Sequence, residues 1–225
     1  MNRSDLRTRI LEGLNESASS PVFWSNAQVH TAIQDGMELL SEEAEAIKRT
    51  VFFTNKPNQL YYATRGIAED VLAPYRIWLH TSDRRLSATT VGQLDAYHET
   101  WDTVTGEPEY WFPMGWDWFG LWPYQAAGGA LLRMDYLAWP RALDDDEDRP
   151  EFPEGDHNAL VIYGVYEGLL KRWDVEQATM MYTRFLRMLG QAQATSGVRQ
   201  LQARTWQPEK APGVGFRTGE PTRFS

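Results

Sequence analysis

The sequence has no cysteine among its 225 residues, and this absence excludes several kinds of chemistry at once. Disulfide scaffolds, thiolate nucleophiles and cysteine-ligated zinc sites all need the missing residue. The sequence also has no phosphate-binding glycine loop, no dinucleotide-binding pattern and no nucleophile elbow. We therefore predict a protein that is not an enzyme and that uses no cofactor.

Long apolar runs are missing as well. No stretch approaches the roughly 20 apolar residues that are needed to cross a bilayer. The opening residues, MNRSDLRTRILEGL, are charged throughout and lack the apolar segment of a secretory signal. We expect synthesis in the cytoplasm and no membrane partner.

The charge is unevenly distributed along the chain, whose net charge is −9. Residues 197–225 hold five basic and two acidic residues, which leaves 17 basic and 29 acidic residues in 1–196. An acidic body with a basic end favours contact between that end and the acidic surface of a neighbouring molecule. The alternative is a solvated, disordered tail.

Apolar residues recur at helical spacing near both ends of the chain. They predict helices at about 4–15, 25–45, 157–172 and 174–194. Ser25 and Asp174 are the expected N-caps of the second and fourth helices. The short break between the last two helices predicts an antiparallel helical hairpin.

The segment from about 50 to 140 is rich in β-branched and aromatic residues. It predicts strands at about 50–53, 60–64, 75–79, 109–112, 116–122 and 130–137, with a short helix at 91–101. Asn55-Lys56-Pro57-Asn58 is typical of a turn, so we expect the first two strands to form a hairpin. The predicted fold is α+β, a helical bundle of the N- and C-terminal helices with an inserted antiparallel β region.

After about residue 195, glycine and proline residues indicate that the helix stops, so we divide the chain into a main domain, 1–196, and an extended C-terminal arm, 197–225. Apolar and basic residues are nevertheless spaced along this arm. Such anchors are typical of a segment that orders against a partner. The predicted partner-binding residues are Arg199, Arg204, Trp206, Phe216, Arg217, Arg223 and Phe224.

The run YWFPMGWDWFGLWPY, residues 110–124, is the most aromatic part of the sequence. Trp and Tyr are enriched at protein interfaces, so we predict that Trp111, Trp116, Trp118 and Trp122 serve a subunit interface or the packing of the β region. The alternative is the aromatic platform of a carbohydrate-binding module. The run has no Lys or Arg, which disfavours nucleic acid.

Two groups of titratable residues are candidates for catalytic or metal sites. His98, Glu99 and Asp102 form a short polar cluster, for which exposed surface is the favoured interpretation over a metal or acid–base site. Asp135 and Asp156 are the acids that a hydrolase would use, but nothing in the sequence pairs them.

The acidic run Asp144 to Asp148 begins like an EF-hand loop, with acids at alternate positions. The calcium template then requires Gly and Glu where this chain has Arg149 and Gly155. We therefore predict no metal and a solvated loop.

Over roughly residues 20–195, the chain resembles the head-to-tail connector, or adaptor, proteins of tailed bacteriophages. The resemblance lies in Trp24 to Ala44, Trp116-Asp117-Trp118-Phe119, Met134-Asp135-Tyr136-Leu137-Ala138-Trp139-Pro140 with Leu143 and the acidic loop, His157-Asn158-Ala159-Leu160-Val161-Ile162-Tyr163, and Ala178 to Leu189.

The resemblance implies a structural virion protein that forms a ring, expected to be a dodecamer, in the neck of the particle. The implied partners are the portal protein, neighbouring copies in the ring and the next neck or tail protein. Genomic DNA would pass through the lumen of the ring without specific binding. In such proteins a C-terminal arm commonly docks on the portal or on a neighbouring subunit. The alternative is a tail-associated binding protein that uses the aromatic run as its platform.

Overall fold

The computed structural model describes residues 1–19, 21–97 and 99–205, and their side chains as far as residue 195. The helices are Arg3–Gly13 (α1), Asn26–Ala44 (α2), Val91–Tyr97 (α3), His157–Lys171 (α4) and Val175–Thr205 (α5). The strands are Lys48–Thr54 (β1), Tyr61–Ala63 (β2), Val71–Leu79 (β3), Arg84–Arg85 (β4), Ser87–Ala88 (β5), Tyr110–Met114 (β6), Trp118–Trp122 (β7) and Leu131–Ala138 (β8). The predicted α+β class is confirmed.

Side-chain caps set the starts of the long helices. The Ser25 hydroxyl accepts from the backbone N–H of Gln28, and the Gln28 side chain accepts from the N–H of Ser25, which forms a capping box. The carboxylate of Asp174 accepts from the N–H of Gln177 at 3.2 Å. Both predicted N-caps are confirmed.

Helix α4 contacts α1, α2 and α5, and glycines allow its close approach to α1. A Cβ atom at Gly164 would lie 2.4 Å from Cδ1 of Ile10, and one at Gly168 would lie 2.5 Å from Cδ1 of Leu14. Both partner side chains are buried. In the sequence, α1 and its packing partner α4 are therefore separated by the whole inserted β region.

The strands form two four-stranded sheets with the orders β1-β8-β3-β4 and β2-β7-β6-β5. Only the short β5–β6 pair is parallel among the paired strands described. The two sheets meet where the Phe53 ring lies 5.9 Å from that of Tyr62 and 6.0 Å from that of Phe119, between centroids. These rings join the main core, which also includes the buried sides of α1, α2, α4 and α5.

The predicted hairpin between the first two strands is wrong, because β1 pairs with β8 and β2 pairs with β7 in the other sheet. The turn residue Asn55 bonds to a distant loop instead. Its amide donates to Oε1 of Gln125 at 2.8 Å, and its Oδ1 accepts from the N–H of Ala130 at 2.7 Å. The turn thus directs the chain from one sheet to the other.

A second, smaller core lies on the far side of the second sheet and contains Leu94, Trp101, Phe112 and Trp122. Trp122 Nε1 donates to the carbonyl of Trp101, and Trp101 Nε1 donates to Asp95, both at 2.7 Å. The α3 region therefore covers this face of the sheet, and the sheet is buried on both sides.

Helix α5 continues to Thr205, so the predicted helix end at 194 is too early, and residues 197–205 are helical rather than extended. A glycine inside a helix costs only about 1 kcal/mol relative to alanine, and good helix formers follow Gly197. The first helix-breaking proline is Pro208. Residues 206–225, the rest of the predicted arm, lie outside the described residues.

The buried imidazole of His157 connects α4 to the beginning of the chain. Its Nε2 donates to the carbonyl of Phe152 at 3.0 Å, and its Nδ1 faces the amino group of Met1 at 3.0 Å. Burial lowers the pKa of His157, and the Met1 ammonium lowers it further. Burial and then the charges of Arg3 and Arg7 also lower the pKa of His30.

We expect the protein to lose stability as the pH falls below about 6.5, the ordinary histidine value. The unfolded chain binds protons there that folded His157 and His30 resist, so acidification favours unfolding. The H157Q variant should lose less stability between about pH 7.5 and pH 5.5 than the wild type, and H30Q/H157Q less still. Thermal unfolding at both values measures this. Equal losses in all three proteins would contradict the prediction.

Candidate interaction surfaces

The four predicted interface tryptophans fall into two pairs on the hairpin of β6 and β7. Trp111 and Trp122 are buried, with 6% and 8% of their surface exposed. Trp116 and Trp118 are exposed to 85% and 48% at the turn. The four rings therefore do not form one platform, and only Trp116 and Trp118 are available to a partner.

The hairpin turn that carries these two rings is held in place by its neighbours. The carbonyl of Asp117 accepts from the N–H and the hydroxyl of Thr64, at 2.8 and 3.0 Å. The Asp117 carboxylate lies 3.3 Å from Nε of Arg65, and Gly115 has a φ of 67°. The backbone that carries the two rings is therefore ordered before binding, which suits them to act as interface anchors.

A second exposed apolar site lies at the turn between α4 and α5. Val22, Phe23 and Trp173 are exposed there. The Lys171 ammonium lies 4.2 Å from the ring centroid of Trp24 and 4.8 Å from that of Phe23. This end of the helical layer is thus a candidate contact surface that the sequence analysis did not single out, because its residues come from separate parts of the chain.

Two of the seven predicted arm residues lie within the described part of the chain. Arg199 and Arg204 lie in α5, and their side chains are not among those described. Trp206, Phe216, Arg217, Arg223 and Phe224 lie outside the described residues. Their role in partner binding remains a prediction.

The acidic loop is tied to α1 and is not simply solvated, which corrects the prediction for residues 144–148. Asp146 accepts from Arg3 at 3.0 Å and from Arg7 at 3.1 Å. The Asp148 carboxylate accepts from the backbone N–H groups of Asp144 and Asp145, both at 2.8 Å. Hydrogen bonds from Arg3 and Arg7 lower the pKa of Asp146.

The acids proposed for a hydrolase are on different elements. Asp135 lies on β8 and is buried, and Asp156 precedes α4. One oxygen of Asp135 accepts from the Thr50 hydroxyl at 2.8 Å, and the other accepts from Nε of Arg76 at 2.6 Å. Its carboxylate is thus engaged in joining three strands, which is a structural role.

The other titratable cluster falls partly outside the described residues, because His98 is not among them. Glu99 and Asp102 are exposed. In the described part of the chain, no three histidine or acidic side chains are grouped so that they could hold a metal ion. The helices described there also include none with the length and apolarity of a membrane span.

A family model for the SU10 adaptor protein matches residues 1–211. The chain therefore belongs to the SU10 adaptor protein family, a family of phage head–tail adaptors, which confirms the resemblance seen in the sequence. This is a family of structural virion proteins and not a known enzyme family. The comparison with curated proteins gives no match.

Proposed function

We propose that this adaptor is a subunit of a head-to-tail connector ring in the neck of a tailed phage. The ring docks on the portal and receives the next neck or tail protein, and the genome passes through its lumen. The observation that carries the proposal is the family match over residues 1–211. The exposed Trp116 and Trp118 on their fixed turn support it, because tryptophan is enriched at protein interfaces.

The mechanism is recognition without chemistry. The two cores hold the aromatic hairpin turn and the α4–α5 turn rigidly, so each copy presents the same surfaces to its neighbours and to the portal. The acidic body repels the phosphates of passing DNA, which helps the genome to slide. In this proposal the residues beyond α5 connect the ring to the portal.

The proposed role of the arm is tested by ending the chain at Thr205, the last residue of α5. We expect the truncated protein to fold, with a thermal midpoint within about 3 °C of the wild type. We expect its co-sedimentation with portal-bearing particles to fall at least ~10-fold. Normal docking by the truncated chain would refute the proposal for the arm.

Two full-length variants sharpen this experiment. W206A/F216A/R217A removes the predicted anchors and should dock as poorly as the truncated chain. T218A/T222A changes polar positions in the same segment and should dock normally. If W206A/F216A/R217A docks as well as T218A/T222A and the wild type, the three substituted residues are not the anchors.

A further inference from the structure

The solvent-facing side of the first sheet differs in charge from the rest of this acidic chain. We call it the basic face and define it by Lys48, Arg76, Arg85 and Arg133 with Phe52, Tyr75 and Trp78. The strand register places these residues together, because Asp135 lies between Thr50 and Arg76, and Arg133 lies between Phe52 and Trp78. Arg85 is the partner of Trp78 on the edge strand.

Strand residues alternate between the two sides of the sheet. Among the described residues that fall on the basic face, four are cations and one, Asp135, is a carboxylate. Asp135 is buried beneath the guanidinium groups, with Arg76 at 2.6 Å and Arg133 at 3.5 Å. A partner therefore meets an excess of positive charge on a protein whose net charge is −9. Lys48 and Arg85 are exposed and form no ion pair within the described residues.

Two of the three rings of the basic face, Trp78 and Tyr75, are already engaged by its cations, and the ring of Phe52 lies 5.2 Å from that of His80. The Arg133 and Arg76 guanidinium carbons lie 4.9 and 5.6 Å from the ring centroid of Trp78. The Lys48 ammonium lies 5.6 Å from that of Tyr75. Binding of single-stranded nucleic acid relies on free ring faces on which bases stack. The arrangement instead favours a partner that brings carboxylates to the cations.

Helix α2 carries a matching surface, the acidic stripe of Asp35, Glu38 and Glu42. These three side chains are exposed on a helix that contains no Lys or Arg. None of them forms an ion pair within the described residues. Burial and then the charge of Glu38 raise the pKa of Asp35, as expected where acids lack a cation.

We propose that the basic face of one copy docks on the acidic stripe of a second copy of this chain. The buried side of α2 and the inner side of the first sheet share one core, so the two surfaces both face away from it and are separate patches of the same molecule. A contact between different patches is heterologous, and repetition of such a contact closes a ring when the rotation allows it. The inference rests on the proposed ring and assigns the surfaces that build it.

Charge reversal tests the pairing in the full-length protein. K48E/R85E reverses the basic face at exposed positions, and E38K/E42K reverses the stripe. Each variant alone should self-associate at least ~10-fold more weakly than the wild type, by sedimentation or by loading on portal-bearing particles. An equimolar mixture of the two should recover assembly, since each reversed surface then finds its opposite on the other variant. R184E/R187E, at exposed positions of α5, is the matched control and should assemble normally.

Cross-linking provides an independent measurement, because the chain has no cysteine of its own. Thr54 lies on the exposed side of β1. A mixture of T54C and E42C chains, treated with a short bismaleimide, should give heterodimers in free protein or on portal-bearing particles. T54C mixed with R184C is the control pair and should give none.

Each alternative outcome overturns the inference in a distinct way. If the wild type loads on particles as a ring but the reversals and the cysteine pair have no effect, the docking surfaces are wrong and the ring stands. If the wild type neither loads nor self-associates under any condition, both proposals fail. If K48E/R85E instead loses binding of duplex DNA while assembly is unchanged, the basic face serves nucleic acid and the inference is refuted.

Discussion

Replacing Gly120 with valine is expected to lower the free energy of unfolding by about 3 kcal/mol or more, among the largest effects of any single substitution in this chain. Gly120 lies directly opposite Phe112 in the β6–β7 pair. A Cβ atom at position 120 would lie 2.1 Å from Cζ of Phe112. The Phe112 ring therefore covers the glycine backbone and occupies the space of the missing side chain.

The Phe112 ring has no room to move away. Its side chain is fully buried, and its centroid lies 5.4 Å from the Trp101 ring and 6.2 Å from the Tyr61 ring. G120V should thus disrupt the smaller core, which denaturant unfolding and near-ultraviolet circular dichroism of the tryptophans would detect. The control is G190A in α5, where nothing outside the helix's own backbone lies within 4 Å of the new Cβ and helix propensity predicts stabilisation of about 1 kcal/mol. A G120V protein as stable as the wild type would mean that the ring does not cover this glycine.

Replacing Asp135 with alanine is expected to cost about 3 kcal/mol of stability. The carboxylate is buried, joins β1, β3 and β8 through Thr50 and Arg76, and balances two guanidinium groups. Its removal leaves two adjacent cations with no anion between them, and their mutual repulsion adds to the lost hydrogen bonds. D135N should cost less, because its remaining carbonyl oxygen still accepts one of these bonds.

Chemical denaturation of D135A, D135N and wild type measures the difference. D145A is the matched control, since Asp145 is exposed and its side chain has no bond in the described structure, and it should change stability by less than about 0.5 kcal/mol. If D135A is as stable as D145A, Asp135 does not hold the sheet together. Asp135 would then again be a candidate functional acid.

The sequence predicts the elements whose pattern is local. The stripe of apolar residues in α2 and the N-caps Ser25 and Asp174 fix the helices, because periodicity and capping are properties of neighbouring residues. The family resemblance is likewise confirmed. The pairing of the strands, in contrast, joins residues that are far apart in the sequence. Strand β1 pairs with β8, and Thr50 lies opposite Asp135. Nothing near the turn at Asn55 encodes that pairing.

The surfaces could be predicted only in part for the same reason. The aromatic run predicts that tryptophans matter, yet the sequence does not reveal that the second sheet is covered on both sides. Adjacent Trp111 and Phe112 are consequently both buried, while Trp116 at the turn is exposed. The acidic loop also looks solvated until Arg3 and Arg7 of the distant α1 are placed beside Asp146. The basic face is assembled from four strands and has no continuous sequence motif.

The packing of α1 on α4 has a consequence for synthesis of the chain. On the ribosome, the apolar side of α1 emerges well before α4, which begins at His157. At the usual elongation rates of roughly 5–20 residues per second, Leu6 and Ile10 wait on the order of ten to thirty seconds for their partner. During that time the nascent chain exposes the apolar side of a helix that is not yet packed. Such a chain is a substrate for chaperones that hold nascent chains until synthesis ends. The fold of the first helix is thus completed only after α4, the next-to-last helix, has been made.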